Sequence, residues 1–300
     1  MRVGAVDLGT NSTRLLIADV DDGAIREVRR GLRITRLGER VDTRRILLPT
    51  AVARVRNVLT DYRRELESLG AERTLAVATS AVRDAENGEA FLGEIEWSYG
   101  FETRLLSGDE EASLTHRGVA SGRPIDPRTL IVDIGGGSTE LILPDRYVSL
   151  DVGCVRLTER FGDDADTTGA SVAVVLPDWP VEGAIGVAGT VTSLAALDLG
   201  LVDYDPELVH GHVLSTAAVE EQLERLTSLP LEQRRALPGL EPERAPVIVA
   251  GAAILRAVLR RYRLDSIEAS EHDLLHGVAL LAAELPGHEA AAAPGTYTCC

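Results

Sequence analysis

The sequence predicts an α/β protein made of two similar lobes, and three observations carry that prediction. Three hundred residues exceed what one hydrophobic core usually organises. The stretch Val6–Ile17, VDLGTNSTRLLI, returns at Val132–Leu143 as VDIGGGSTELIL, so apolar-Asp-x-Gly-x-x-Ser-Thr-x-Leu is written twice. Both halves open as strand, glycine loop, strand, turn, strand, and only then alternate helix and strand. Tight hairpins at each start do not belong to a chain of parallel βαβ units, so each sheet is expected to be mixed.

The elements follow in order. Val3–Val6, Leu15–Val20 and Ile25–Ile34 read as strands of a hairpin-rich sheet. In TAVARVRNVLTDYRRELESLG the residues Val52, Val55, Val58, Leu59, Tyr62, Leu66 and Leu69 fall at helical spacing, and Gly70 ends the run. TLAVAT reads as a buried strand, Asn87–Ser98 as a helix, FETRLL as a strand and SGDEEASLTHRGVA as a helix. SGRPIDPRT, Ser121–Thr129, is turn-rich and marks a boundary between lobes 1–122 and 123–285. Beyond it LIVDI, ELIL and YVSLDV read as strands and VRLTERF as a helix. AIGVAG and TVTSLAAL form the next strand and helix. LSTAAVEEQLERLTSL is amphipathic, capped by Ser215 or Thr216, and APVIVAGAAILRAVLRRY is apolar enough to be mostly buried. DSIEAS is a last strand and HDLLHGVALLAAEL a last helix; the tail 286–300 has too little bulk to pack and is expected to be disordered.

Composition excludes several functions. A net charge of −16 argues against nucleic acid or an anionic membrane as partner. The longest apolar stretch is interrupted by Arg256 and falls short of a membrane span, and a strand-like run directly after Arg2 reads as no signal peptide. Cys154, Cys299 and Cys300 give no pairing framework, so a reducing cytoplasm is expected. All 31 basic residues are Arg; without Lys there is no Walker-type phosphate loop. Seven of them crowd between Arg29 and Arg45, where Arg33, Arg36 and Arg40 read either as the lining of a polyanion channel or as a solvated strand and loop. The histidines His210, His212, His272, His276 and His288 show no metal spacing and are read as non-ligands.

The repeated loops carry the chemistry. In DLGTNST, Asp7 closes a strand, Gly9 permits a sharp turn, and Thr10, Asn11, Ser12 and Thr13 offer backbone N–H groups with short polar side chains. Such concave N–H clusters bind phosphate oxygens, and Gly135, Gly136 and Gly137 allow still closer approach in the second copy. Asp and Asn in tight hairpins are the plain alternative; the matched pair favours a phosphate clamp with carboxylates at its mouth that would hold a divalent ion. In LLSGDEEA, Ser107 and Glu110 fit a capping box, which leaves Glu111 either as a general base or as an ordinary first-turn acid, and spacing alone favours the latter. Arg83, just after a buried strand, reads as a phosphate clamp or as an exposed loop residue. Gly189 and Thr190 sit at a strand-to-helix turn, where helix-on-strand packing is the favoured reading.

In this order DLGTNSTRLLI, ITRLGERVD, ATSAVRDAEN, SGDEEA, VDIGGGSTEL, GCVRLTE, VAGTVTSLAAL and LEPERAPVIVAGAAIL resemble the exopolyphosphatase/guanosine-pentaphosphatase (Ppx/GppA) family from about residue 2 to 285. The resemblance implies two ribonuclease-H-like lobes of the actin, Hsp70 and sugar-kinase superfamily around a cleft. It implies Mg²⁺-dependent removal of the terminal phosphate of inorganic polyphosphate, or of the 5′ γ-phosphate of pppGpp, with Mn²⁺ as an alternative metal and a homodimeric state. The catalytic glutamate maps to Glu111, the metal carboxylates to Asp133 and Glu140 beside Asp7, and the phosphate contacts to Asn11, Ser12, Arg83, Gly136, Gly137 and Ser138. Two departures stand out. The chain stops after two lobes, and the usual SDxGLR appears as SEHDLLHG, without its arginine. A short-chain exopolyphosphatase is the leading expectation and a pppGpp phosphohydrolase the nearest rival. A kinase with a nucleotide site at Gly189–Thr192 and a non-catalytic (p)ppGpp sensor stand further off.

Overall fold

The computed structural model describes residues 1–286; the expectation for the tail concerns residues outside that range. Strands β1 (Arg2–Leu8), β2 (Ser12–Asp21), β3 (Ala24–Ile34), β4 (Arg73–Ala78) and β5 (Glu102–Leu105) form one sheet in the order β3-β2-β1-β4-β5. The hairpins β1–β2 and β2–β3 are antiparallel, whereas β4 and β5 join in parallel. The second sheet repeats the plan with β6 (Thr129–Ile134), β7 (Thr139–Leu143), β8 (Arg146–Leu150), β9 (Gly183–Val187), β10 (Val213–Ser215) and β11 (Ser266–Ala269). Its order β10-β11-β9-β6-β7-β8 places β8, β7, β6, β9 and β11 where the first sheet has β3, β2, β1, β4 and β5, with β10 added at the edge. The two mixed sheets are those the duplicated sequence predicts, and their ribonuclease-H-like strand order is the one the resemblance implies.

In the first lobe, α1 (Val41–Arg44), α2 (Pro49–Ser68), α3 (Ser80–Arg83) and α4 (Gly88–Tyr99) follow or separate the strands, and α5 (Gly108–Ala120) ends the run. In the second, α6 (Cys154–Phe161), α7 (Ala165–Ala173), α8 (Ala188–Asp198), α9 (Pro206–Val209), α10 (Thr216–Ser228), α11 (Leu231–Arg235) and α12 (Ile248–Tyr262) precede the closing α13 (Leu274–Glu284). Period-two alternation divides each strand between two cores. Val6, Leu8, Leu15 and Ile17 pack under α2 and α4, through Val55, Leu59, Phe91 and Ile95. Val3, Ala5, Leu16 and Ala18 face the other way and are covered by Leu275, Val278 and Ala279 of α13. In the second sheet Leu130, Val132 and Leu141 pack on α8 and α12, while Ile131, Ile142 and Ile185 are covered by Ala112 and Val119 of α5.

The last helix of each half packs on the sheet of the other half. Each sheet has two apolar faces, and the helices of its own run cover only one. The chain covers the remaining faces by exchange, α5 on the second sheet and α13 on the first. The two helices cross at Gly118 and Gly277. A Cβ on Gly118 would lie 1.9 Å from the Asp273 carbonyl oxygen, and one on Gly277 would lie 1.9 Å from that of Leu114. Only glycine lets the backbones meet so closely. No helix among the described residues is long and apolar enough to cross a membrane.

Candidate active site

The two glycine loops are built alike. Gly9 N–H donates to the Ser12 carbonyl at 3.0 Å, and Gly135 N–H donates to the Ser138 carbonyl at 3.0 Å. The intervening carbonyls are turned away from the cleft and held from behind. In the first loop Gly38 N–H takes the Thr10 carbonyl at 2.8 Å, and the N–H groups of Thr35 and Arg36 share that of Asn11. In the second, the first turn of α6 does this work: Cys154 N–H takes Gly135 O, and Val155 and Arg156 N–H take Gly136 O. The Arg156 Nε takes Gly137 O at 2.7 Å. Because each peptide carries its carbonyl and N–H on opposite sides, carbonyls fixed backward leave the neighbouring N–H groups facing the cleft. Among the described residues the N–H groups of Thr10, Asn11, Gly136 and Gly137 donate to no protein acceptor. Asn11 adds a buried Nδ2 without a partner, a donor suited to a phosphate oxygen.

The loops touch. A Cβ on Gly136 would lie 2.8 Å from Thr10 Cβ, one on Gly137 would lie 2.5 Å from Ser80 Oγ, and Thr10 Oγ1 hydrogen-bonds Ser80 Oγ at 2.9 Å. They form one wall of a cavity of about 580 Å³ between the lobes, lined by Asp7, Asn11, Ser12, Glu111, Asp133, Gly136 and Ser138 among others. Its far side is partly apolar, with Val202, Tyr204, Leu240 and Pro242.

Carboxylates converge at the mouths of the loops. Asp7 is the last residue but one of β1 and Asp133 the last but one of β6, at equivalent places in the two sheets. Glu140 stands directly across the ladder from Asp133, so both side chains leave the same face of the sheet. Ser149 Oγ donates to Glu140 Oε1 at 2.7 Å and fixes its direction. Glu111 arrives on α5. Its neighbour Glu110 makes the expected capping box, accepting from Ser107 N at 2.8 Å, while Ser107 Oγ accepts from Glu110 N at 3.2 Å. One residue further round the helix, Glu111 turns inward and is 6% exposed. Burial first, then repulsion from Glu140 and Asp133, raises Glu111 well above the ordinary carboxylate range. Burial and Glu140 do the same to Asp133, and burial raises Glu140 against the pull of its serine hydrogen bonds. Arg83 hydrogen-bonds the Leu106 carbonyl at 2.7 Å and reaches Glu111 Oε2 at 3.4 Å, so it braces the glutamate from outside the cavity lining.

These buried oxygens fit a hard divalent ion. Among the described residues Asp7 Oδ1 is buried with no hydrogen-bond partner, and Asp133 and Glu140 stand side by side across the ladder. An oxygen-only donor set of this kind suits Mg²⁺ or Mn²⁺ better than a thiophilic metal.

A profile of the Ppx/GppA phosphatase family matches residues 16–284. The chain belongs to that family. Exopolyphosphatase 2 of Mycobacterium tuberculosis is 38% identical over 93% of this chain and 98% of its own length. A crystal structure of an exopolyphosphatase-like protein superposes with a TM-score of 0.87 at 34% identity, covering 93% of this chain and 96% of the other. A guanosine-5′-triphosphate,3′-diphosphate pyrophosphatase of Vibrio atlanticus is 29% identical over 92% of this chain and 58% of its own length.

Within this Ppx/GppA member, Asp7, Asn11, Ser12, Glu111, Asp133, Gly136 and Ser138 all line one cavity, with Glu140, Gly137 and Arg83 directly behind it. Arg33, Arg36 and Arg40 do not line it. Arg33 and Arg40 are exposed, and Arg36 and Arg40 take left-handed backbone at φ 48° and 60°. Their segment serves the site through its backbone, by holding the first loop from behind. Arg30 of the same run does reach the cavity, but its guanidinium is engaged by Glu27 and Glu271.

Three cavity residues escaped the sequence reading. Arg14 lies across the ladder from Asp7 and is held by Asp7 and Asp273. Asp273, which caps α13, stands in the stretch where the usual arginine is missing. Arg244 packs its guanidinium on Gly189, where any Cβ would clash at 1.7 Å, and pairs with no carboxylate among the described residues. Burial lowers its pKa. The only signal for Arg244 was its position just ahead of a buried helix. Glu27, His272 and His276 also bring ligand atoms within 4.8 Å of one another. Both Glu27 oxygens already accept from Arg30, and one also contacts His276, so this is a closed ion-pair network.

Proposed function

We propose that the protein is an exopolyphosphatase that removes the terminal phosphate of short inorganic polyphosphates. The observation that carries the reading is the pair of loops whose free N–H groups face one cavity, with Glu111, Asp133, Glu140 and Asp7 gathered at their mouths. The N–H groups of Thr10, Asn11, Gly136 and Gly137 would seat the terminal phosphoryl oxygens, and Asn11 Nδ2 and Arg244 would take further phosphate oxygens. Asp133, Glu140 and Asp7 would hold Mg²⁺, with Mn²⁺ as substitute, and the bound ion would supply neutralisation of the phosphate charge. Glu111 would orient a water in line with the bridging P–O bond and accept its proton. As the water oxygen bonds to phosphorus, the bridging P–O bond breaks, and orthophosphate leaves beside a chain shortened by one unit. Arg83 would keep the Glu111 carboxylate aimed. A homodimer in the cytoplasm completes the proposal, on the family resemblance alone.

One observation favours a second substrate, pppGpp. The cavity runs on past the phosphate loops to Val202, Tyr204, Leu240 and Pro242, a surface an unbranched phosphate chain does not use and a nucleoside would.

Phosphate release with Mg²⁺ from short polyphosphate, long polyphosphate and pppGpp, beside Glu111→Gln, tests the reading. Release that disappears in the variant supports the hydrolase, and the ranking of kcat/KM names its substrate. No release from any of the three, with tight binding of ppGpp, overturns it in favour of a sensor.

A further inference from the structure

We propose that Arg156 is a positioning residue that couples closure of the two lobes to the shape of the second phosphate loop. Its motif, GCVRLTE, holds the second loop from behind, and its guanidinium is buried and split between the lobes. Within its own lobe, Nε donates to Gly137 O at 2.7 Å, completing the row of carbonyls that α6 pulls back from the cleft. Toward the first lobe, one terminal nitrogen binds Asp42 on α1 and the other binds Asp84 Oδ2, just after α3, at 2.6 Å. Arg160 on the next turn of α6 makes a two-pronged contact with the same Asp42, at 2.8 and 2.9 Å. Arg40 N–H in the first lobe donates to Glu159 of α6 at 2.8 Å.

These contacts lie directly behind the touching loops. Thr10, Gly38, Ala81, Val155 and Arg156 leave between them a void of only about 10 Å³. Hinging the lobes apart would separate Arg156 from Asp42 and Asp84 but leave it on Gly137. Within its own lobe the guanidinium has only the Gly137 carbonyl and the exposed Asp151 carboxylate at 4.0 Å, so its close carboxylate contacts form when the lobes meet. Closure thus brings the N–H groups of both loops together and fixes Gly137 by the same side chain. Breaking the first-lobe half of the latch lowers the fraction of closed protein, and apparent substrate affinity falls by that fraction.

The test is the double variant Asp42→Asn/Asp84→Asn, which touches neither loop. Small-angle scattering of the ligand-free protein is expected to show a larger radius of gyration than wild type. KM for tripolyphosphate with Mg²⁺ is expected to rise about tenfold with kcat close to wild type. Unchanged scattering overturns the latch whatever the kinetics, and expansion with an unchanged KM overturns the coupling to the loop. If the double variant does not fold, Asp84→Asn alone, which keeps the Asp42 and Gly137 contacts, carries the same test with a smaller rise. The kinetic arm rests on the hydrolase reading; the scattering arm needs no substrate and stands or falls separately.

Discussion

At the mouth of the first loop Asp7 stands across the ladder from Arg14; at the mouth of the second, Asp133 stands across from Glu140. The spacing, the glycine turn and the backward-held carbonyls are common to both loops. The charge is not. Arg14 is buried, and although burial alone would lower its pKa, Asp273, Asp7 and Asp133 raise it, so it stays charged and offsets part of the burial that still raises Asp7. Asp133 has Glu140 opposite and no basic side chain on that ladder; Ser149 hydrogen-bonds Glu140, and Arg14 and Arg83 of the first lobe offset the two acids in part. The two loops are built alike; in the reading proposed above, the difference at the seventh residue after the aspartate would give the second lobe the larger share in holding a cation. In the first lobe Asp7 keeps only one uncommitted oxygen for it.

The largest effect is expected at the acid that belongs to neither ladder. Glu111→Gln should lower kcat by about 10²–10⁴ with KM little changed, as loss of a general base does. Glu110→Gln, one residue away but committed to the Ser107 cap, should leave kcat close to wild type; steady-state kinetics on both separates base from cap. Arg244→Ala should raise KM for polyphosphate about 10- to 100-fold, as loss of a charged hydrogen bond does. Among the described residues it lines the cavity without a carboxylate partner, whereas Arg14 is held by Asp7 and Asp273.

The charge imbalance also has a pH signature. Without metal, burial raises Glu111, Asp133 and Glu140, so the folded protein keeps protons that the unfolded chain has lost. Their contribution to stability is complete below the ordinary carboxylate range and is lost as pH rises through the raised values. A bound cation offsets that loss. The rise in Tm on adding Mg²⁺ should therefore be larger at about pH 8 than at about pH 6, and scanning calorimetry at both reads it. The smallest effects are at helix glycines. Gly118→Ala, forced against the α13 backbone, should destabilise by about 1–3 kcal/mol. Gly93→Ala, exposed on α4 with nothing near its Cβ position, should stabilise by about 0.5–1 kcal/mol in urea unfolding.

Much of this was legible in the sequence because it is local. Strand alternation, the two loops and the Ser107–Glu110 box are written within a few residues each, and the box alone separated Glu110 from Glu111. What stayed hidden depends on distant chain segments. The exchange of α5 and α13 follows from which sheet face remains bare, which no single run of residues states. Helix α7, with Gly169 in its middle, reads weakly as a helix and is held by packing on α12. Arg14 and Arg244 looked like ordinary arginines until Asp273 and Gly189 were placed against them. The Arg33–Arg40 run reads equally as a channel lining or a solvated strand because charge is visible in a sequence, whereas its backbone support of the first loop is not.

The most direct test of the split between the lobes is Mn²⁺ binding followed by electron paramagnetic resonance in wild type, Glu140→Gln and Asp7→Asn. The account predicts that Glu140→Gln weakens binding on the order of 100-fold, and Asp7→Asn by about tenfold or less. Equal weakening by the two, or a greater loss at Asp7, would contradict it.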